Sequence, residues 1–356
     1  MKTRNIHHFA ECKYAAISGL LVVVLYFFSA CTAINDDSLD NKDSVIRFSS
    51  VSVSKSEAST RATVMGADAH NEGLPIGSDI DVFIYNVNKG SVPSDDEENS
   101  DPAVTLPMVY TTTEAPDAET AQSSLNIKNS TVKPPKYPNV NGNKNAYIFA
   151  VWPAKATKDE TEADSYSFSV NTNQSIPANV TASDLMATDQ IIQSSDGGKA
   201  IDLAMTHCMA KVIVKFNPTG SLTDSNMPTT FSVLGVKNSV TIKPKTAATA
   251  ATGNGRAAIT TNNTTVDILA SPSEAFLLPP QTIEANSTFL QFTISGVTAD
   301  HFADITNVTF KLPTPLTLVA NTVYEITVNV NVNYISATAT ITPWNSEDMT
   351  FDKYIL

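Results

Sequence analysis

The sequence predicts an all-β protein, and three observations support that fold class. Apolar and polar residues alternate with a period of two in many short stretches, of which Tyr166–Val170 is the clearest. Thr, Val, Asn and Ser are abundant, which favours strands and turns over helices. Pro, Gly and Asn separate the alternating stretches, and short strands divided by such turn signals are typical of β-sandwiches.

The expected strands extend along most of the chain. A nearly continuous apolar strand is expected at Ala146–Trp152, where Pro153 stops it, and a long strand at Ile201–Phe216, just before Pro218. One short helical turn is expected within Thr181–Thr188. The other expected strands are Val45–Val53, Ile80–Tyr85, Tyr166–Val170, Phe231–Val236, Ser239–Ile242, Val266–Leu269, Phe289–Ile294, Val308–Leu312 and Val323–Tyr334.

The N-terminus predicts a signal peptide over residues 1–30. Lys2, Arg4 and Lys13 make this leader basic, and Ala15–Ala30 is an apolar run without a charge. The run is shorter than the roughly 20 residues of a membrane-spanning helix. We therefore expect the leader to be removed on export.

Cys31 follows the apolar run directly, after the small residues Ser29 and Ala30. This arrangement resembles a lipobox, in which the cysteine is diacylated, although Phe28 stands where leucine is usual. We expect lipidation of Cys31 and an anchor in the outer membrane, because acyl chains attach a chain to a membrane without spanning it. The alternative is an ordinary signal peptide cut near Ala30, with Cys31 incidental.

Beyond the leader we expect an acidic tether over 31–44 and two domains, which is the natural count for the remaining length. The N-terminal β-sandwich domain is expected over 45–218 and the C-terminal β-sandwich domain over 219–356. The boundary is placed after Pro218, where the long strand has ended. The net charge of −13 argues against nucleic acid as a partner, because phosphates would be repelled.

The sequence offers no constellation for catalysis or metal binding, so we expect no enzyme activity, no metal and no cofactor. His207 and Cys208 are adjacent, but neighbours on a strand point to opposite faces and cannot share a hydrogen bond. His207 is therefore expected to be a buried or half-buried strand residue. The acidic cluster Asp95–Glu98 lacks the spaced ligands and the glycine of a calcium loop. Nucleophile-elbow, phosphate-loop, dinucleotide and zinc-protease motifs do not occur in the sequence.

Seven short segments carry a family resemblance by their order along the chain: Ile76–Phe83 (IGSDIDVF), Ala146–Pro153 (AYIFAVWP), Ser183–Thr188 (SDLMAT), Ile201–Val212 (IDLAMTHCMAKV), Leu278–Thr282 (LPPQT), Asn321–Tyr324 (NTVY) and Ile341–Trp344 (ITPW). Together they resemble the fimbrillin-like (type V pilin) family over most of the chain from about Val45 to Trp344. The sequence departs from the family pattern at Met205, Cys208 and Asn321. The resemblance implies two transthyretin-like β-sandwich domains and a structural or adhesive subunit of cell-surface fimbriae.

The resemblance also implies processing and partners, since such subunits are exported as lipoproteins, trimmed by an arginine-directed protease and joined to other fimbrial subunits by strand exchange. The small-residue stretch Ser56–Thr63 holds one basic residue, Arg61, and such stretches are accessible protease substrates. We expect cleavage between Arg61 and Ala62, which would remove the strand Val45–Val53. Arg47 is less favoured because it lies within that strand, and an uncut loop is the alternative.

The C-terminal segment 335–356 is the expected donor strand for a neighbouring subunit. Apolar residues occupy even positions from Tyr324 to Tyr334 and odd positions from Ile335 to Ile341. A slip of one residue turns every side chain to the other face, so one unbroken strand cannot bury both sets on the same side. Either a bulge lies near Tyr334 or one strand ends there and a separate arm begins. The alternative to donation is pairing of this segment within its own domain.

The alternative function is a surface lipoprotein that captures glycans or host proteins without polymerising. Such a module would share the export signal and the sandwich domains. It needs an aromatic platform on exposed loops, but the two tryptophans, Trp152 and Trp344, both lie in strand-like segments.

Overall fold

The structure is a computed structural model, and it describes residues 45–53, 74–88, 100–102, 108–115, 122–136, 144–155, 166–188, 191–193, 200–243, 258–296, 304–331 and 335–343. All of these residues belong to the compact unit Ser44–Leu356. The signal peptide, the tether, Arg61 and the cluster Asp95–Glu98 lie outside the described residues.

The described strands follow one another along the chain, with a short helix, α1 (Pro177–Thr181), between β7 and β8. They are β1 (Phe48–Val53), β2 (Asp79–Asn88), β3 (Ser100–Pro102), β4 (Met108–Thr112), β5 (Gln122–Ile127), β6 (Lys144–Trp152), β7 (Tyr166–Ser169), β8 (Met186–Thr188), β9 (Ile191–Gln193), β10 (Ile201–His207), β11 (Ala210–Pro218), β12 (Phe231–Lys237), β13 (Ser239–Lys243), β14 (Ala258–Thr261), β15 (Thr265–Ala270), β16 (Ala275–Leu278), β17 (Gln281–Ile283), β18 (Thr288–Ile294), β19 (Ile305–Lys311), β20 (Leu316–Leu318), β21 (Thr322–Val330) and β22 (Ile335–Pro343).

The largest sheet has the strand order β3-β2-β4-β5-β1-β10-β8-β6-β9, and β2 also pairs with β6. This extra pairing closes β2, β4, β5, β1, β10, β8 and β6 into a ring of seven strands. The later strands form the sheets β16-β11-β21-β22 and β15-β12-β18-β19, and two smaller ones, β14-β13-β7 and β17-β20. The expected all-β class is confirmed, and the packed sheets are consistent with a β-sandwich fold.

Two hydrophobic cores fill the fold. The ring core lies inside the ring and contains the buried side chains of Ile46, Phe48, Val51, Val53, Leu74, Ile80, Val82, Ile84, Met108, Tyr110, Leu125, Ala146, Ile148, Ala150, Trp152, Met186, Ile201, Leu203 and Met205. The outer core joins the opposite face of β2 and β6 to the C-terminal sheets, through residues such as Phe149, Val212, Phe231, Phe276 and Ile326.

The paired strands β2 and β6 are buried on both faces. Their register runs from Asp81–Val151 to Asn88–Lys144, and successive side chains point to opposite faces. In β6, Ile148 therefore lies in the ring core and Phe149 in the outer core. This double burial explains why Ala146–Trp152 is apolar almost without interruption.

The prediction of a single strand over Ile201–Phe216 is wrong, because the structure has two strands there. The backbone N–H of Cys208 donates to Leu185 O at 2.7 Å, beside β8, whereas Met209 O accepts from Asn321 N at 2.9 Å, beside β21. Consecutive residues thus bond to different sheets, and the chain passes from the ring to the sheet of β11. The continuous Val- and Ile-rich pattern conceals this change because both strands are buried.

The change of phase near the C-terminus corresponds to a hairpin. β21 ends at Val330, β22 begins at Ile335, and their pairing runs antiparallel to Thr322–Pro343. Each pair joins an even-numbered residue to an odd-numbered one, which accounts for the change of phase. Ile335–Pro343 thus pairs within its own chain, which is the alternative to strand donation given above. Its exchange between subunits stays a prediction.

Two further expectations concern the helix and the domain boundary. The helical turn expected within Thr181–Thr188 is displaced: α1 ends at Thr181, and Met186–Thr188 is strand β8. Pro177 begins the helix, where its missing N–H has no intrahelical partner to lose. None of the described helices has the length and apolar character to cross a membrane. The domain boundary after Pro218 stays a prediction. Strand β11 lies before this boundary and pairs with β16 and β21, which lie after it.

We expect Phe149→Ala to lower the free energy of unfolding by about 3–5 kcal/mol, because it leaves a cavity where β6 meets the outer core. Urea unfolding followed by circular dichroism measures the change. Val319→Ala is the control, since Val319 is 52% exposed and its truncation should change stability by no more than about 0.5 kcal/mol. Equal effects of the two variants would contradict the double burial of β6.

Candidate functional site

The position of β1 is the feature of the ring that bears on function. β1 lies between β5 and β10, antiparallel to β5 through Ser50–Ser124 and Val51–Ser123. It is parallel to β10. Because β1 is internal, its backbone N–H and C=O groups bond on both sides, and its loss would leave two strand edges unpaired.

The apolar residues of β1 and of the segment just before it fill the ring core. Ile46, Phe48, Val51 and Val53 are each at most 7% exposed. The ring of Phe48 meets that of Tyr110 edge to face, with centroids 4.9 Å apart. Burial raises the pKa of the Tyr110 phenol above its ordinary value, so the hydroxyl stays neutral in this core.

A bulge interrupts the register between Phe48 and Ser50. The hydroxyls of Ser49 and Ser50 both donate to Oδ1 of Asp202 on β10, at 2.5 and 2.6 Å. Since the bulge adds one residue, the buried apolar residues are separated by two, three and two positions: Ile46, Phe48, Val51 and Val53. A regular strand would separate them by two throughout.

A second polar feature lies at the other end of β10. Nδ1 of His207 is 2.8 Å from Oδ1 of Asp184, and both side chains are 1% exposed. The loop from α1 to β8 positions Asp184, and β10 positions His207 beside Met186. Burial lowers the pKa of the nearby Lys211, and the Asp184 carboxylate opposes that shift. The pair connects the α1–β8 loop to β10 where the chain leaves the ring.

Both polar features connect neighbouring strands and loops of the ring. His207 is buried as expected and contacts Asp184, while Sγ of Cys208 donates to Thr206 O at 3.8 Å. Within the described ranges, no three His, Cys, Asp or Glu side chains cluster so as to hold a metal ion. Trp152 is only 9% exposed and lies in the ring core, so it cannot form a surface aromatic platform.

The predicted site residues Cys31, Arg61 and Ala62 lie outside the described residues, so their roles stay predictions. Arg47, the less favoured cleavage position, is exposed and directly precedes β1. Sequence reasoning missed Asp202 and the Asp184–His207 pair. Asp184 and His207 both lie in segments that carry the family resemblance. That shared position is the signal in the sequence that could have indicated the pair.

The described fold is built from strands, with an internal strand near its start and polar groups that connect neighbouring strands. The family model described as fimbrillin-like matches residues 60–344, which is most of the chain, and the chain belongs to this family. Membership supports a fimbrial or adhesion subunit at the cell surface and a structural role. A comparison with curated proteins finds no match.

Solved structures are similar to this chain in fold. A candidate cell adhesion protein from Bacteroides uniformis has a TM-score of 0.51 at 16% identity, covering 83% of this chain and 98% of its own. One from Bacteroides ovatus has a TM-score of 0.51 at 14% identity, covering 85% and 99%. A fimbrial assembly protein from Parabacteroides distasonis has a TM-score of 0.43 at 12% identity, covering 85% and 98%. The first two show that the fold is shared.

We expect Asp184→Ala to lower the free energy of unfolding by about 1–3 kcal/mol, because it removes a buried oxygen that lies 2.8 Å from His207 Nδ1. Urea unfolding is the measurement. Glu284→Ala, at an exposed acidic residue, is the control and should stay within about 0.5 kcal/mol of the wild type. A stability loss no larger than that of the control would show that the pair does not hold the α1–β8 loop to β10.

Proposed function

We propose that this chain is a structural and adhesive subunit of cell-surface fimbriae, exported as a lipoprotein and assembled with other subunits by strand exchange after proteolytic trimming. The observation that carries the proposal is the position of β1, an internal strand that precedes the expected cleavage point. Every other described strand follows that point. Family membership supports the fimbrial role.

Cleavage between Arg61 and Ala62 would separate β1 from β2, which begins at Asp79. The released piece would take the lipid anchor at Cys31 with it. The ring would keep six of its seven strands, and the family match, over residues 60–344, covers most of what remains.

Loss of β1 would open a groove between β5 and β10. The groove offers unpaired backbone groups on both edges and the apolar floor that Phe48 and Val51 now cover. A strand from a neighbouring subunit would restore backbone hydrogen bonds at roughly 1 kcal/mol net each. Each buried apolar side chain would add about 1.5–3 kcal/mol. The C-terminal segment 335–356 is the proposed source of that strand.

The function is tested by electron microscopy of cells that express the full chain, with gold-labelled antibody raised against it. Labelled filaments are the expected result. Antibody confined to the outer membrane, with no filaments, would favour the non-polymerising surface lipoprotein and end the fimbrial proposal.

We expect Cys31→Ala to abolish labelling of the chain by a fatty-acid analogue, because the acyl chains attach through that thiol. Cys208→Ala is the matched control: Cys208 is buried in the fold, and its replacement should leave labelling unchanged. Labelling that persists in Cys31→Ala would show that the anchor is elsewhere.

We expect Arg61→Ala to prevent the removal of β1, and therefore to leave uncut chains that do not enter filaments. N-terminal sequencing of wild-type filament protein should begin at Ala62. Arg47→Ala controls for the other arginine and should not change that start. Wild-type filaments built from chains that begin at Cys31 would exclude the trimming step.

A further inference from the structure

The segment Thr172–Gln174, which we call the strap, covers the free edges of two sheets. β15 is the outermost strand of the sheet β15-β12-β18-β19, and β16 is the outermost strand of the sheet β16-β11-β21-β22. Residues 271–274 alone join β15 to β16, so the two edges lie close enough for one short segment to reach both. The strap belongs to an earlier part of the chain, between β7 and α1.

On β15 the strap pairs through its backbone. The N–H of Gln174 donates to Leu269 O at 2.7 Å, and the N–H of Leu269 donates to Thr172 O at 2.8 Å. Asn173 lies opposite Leu269 in a parallel bridge. The strap therefore uses both backbone groups that Leu269 directs away from β12.

On β16 the side chain of Gln174 takes the place of a backbone group. Its Nε2 donates to Leu277 O at 2.9 Å, and the N–H of Leu277 donates to its Oε1 at 2.8 Å. A side-chain amide carries the same donor and acceptor as a peptide group, so it pairs with Leu277 as a residue of a neighbouring strand would. Gln174 is 1% exposed, so water does not compete for these two hydrogen bonds.

The α1 region holds the strap in this position. Nδ2 of Asn179, within α1, donates to Asn173 O at 2.7 Å. The N–H of Asn171, just before the strap, donates to the buried Oγ of Ser183 at 2.9 Å. These contacts fasten the strap to the helix and to the loop that follows the helix.

Without the strap, β16 would be a strand that favours self-association. All residues of Ala275–Leu278 are apolar and buried. An apolar strand with an unpaired edge is a template for pairing with another chain. A second copy of this chain has the same edge, and two identical edges pair antiparallel about a two-fold axis. The partner that fits an uncovered β16 is therefore β16 of a second copy.

We infer that the strap is an autoinhibitory contact that prevents β16 of one copy from pairing with β16 of another. It thereby leaves the site of β1 as the place where strands are exchanged. This second statement rests on the proposed function, whereas the first holds for the uncut chain as well.

The test uses uncut full-length chains, in which β1 fills its place in the ring and strand exchange does not contribute. Gln174→Pro removes both side-chain bonds to Leu277 and the backbone bond to Leu269 O, because proline has neither the amide nor the N–H. Light scattering after size-exclusion chromatography in detergent should show a change from monomer to dimer between about 1 μM and about 100 μM. Ser175→Pro is the control, since it introduces proline one position later, keeps the strap bonds and should stay monomeric.

Hydrogen exchange locates the contact in the dimer. In monomeric Gln174→Pro the peptide that contains Leu277 should exchange faster than in the wild type, and in the dimer its exchange should slow again. A folded Gln174→Pro chain that stays monomeric would overturn the inference, as would a dimer whose Leu277 peptide still exchanges fast. Neither result depends on filaments, whereas a lack of wild-type filaments would overturn the proposed function.

If Gln174→Pro does not fold, a disulfide lock replaces it. Asn173→Cys with Leu269→Cys joins two residues of the bridge, which lie within disulfide reach. On heating, the oxidised chain should begin to scatter light at a higher temperature than the reduced chain. The control lock, Thr241→Cys with Thr260→Cys, joins β13 to β14 and leaves the strap free to open. A strap lock that raises the onset temperature no more than the control lock does would contradict the inference.

Discussion

The pairing of β2 with β6 is the constraint on which the rest of the fold depends. Its two strands close the ring, and their two faces supply walls to both cores. Phe83 and Phe149 contact each other on the outer face, with centroids 6.1 Å apart, while Val82 and Ile148 lie on the inner face. A slip of one residue in strands buried on both sides would exchange the side chains that face the two cores. The pair therefore fixes the alignment of the ring against the C-terminal sheets.

The two cores depend on β1 to different extents. The buried apolar residues of β1 belong to the ring core, and none of them is part of the outer core. Removal of β1 therefore takes one wall from the ring core and leaves the outer core with all its members. Burial raises the pKa of Tyr147, on the outer face of β6, to about 12. Loss of β1 would therefore act first on the smaller of the two cores.

The sequence predicts the strands that have a regular apolar pattern. It does not predict the strands that form only through contacts with other parts of the fold. The apolar run Ala146–Trp152 and the alternation at Tyr166–Ser169 mark strands whose burial alone determines their form. β5, with the sequence QSSLNI, escapes recognition because its small polar residues become strand only through pairing with β1 and β4. The end of β10 at His207 is not predicted from the sequence either, because it depends on which backbone carbonyl each N–H donates to. The Asp184–His207 pair joins residues that only the tertiary fold brings together.

The parallel pairing of β1 with β10 has a consequence for any assembly built through this site. A strand that takes the place of β1 in the same direction enters from the side of Ile201 and ends beside Met205. Donor and acceptor surfaces then differ, so the contact is heterologous, and a heterologous contact whose rotation does not close repeats into an open filament. Repetition of such a contact gives a filament with polarity. One end of the filament would have an unoccupied groove, and the other end would have a donor segment that no neighbouring subunit binds. Growth and termination at the two ends would therefore require different molecules.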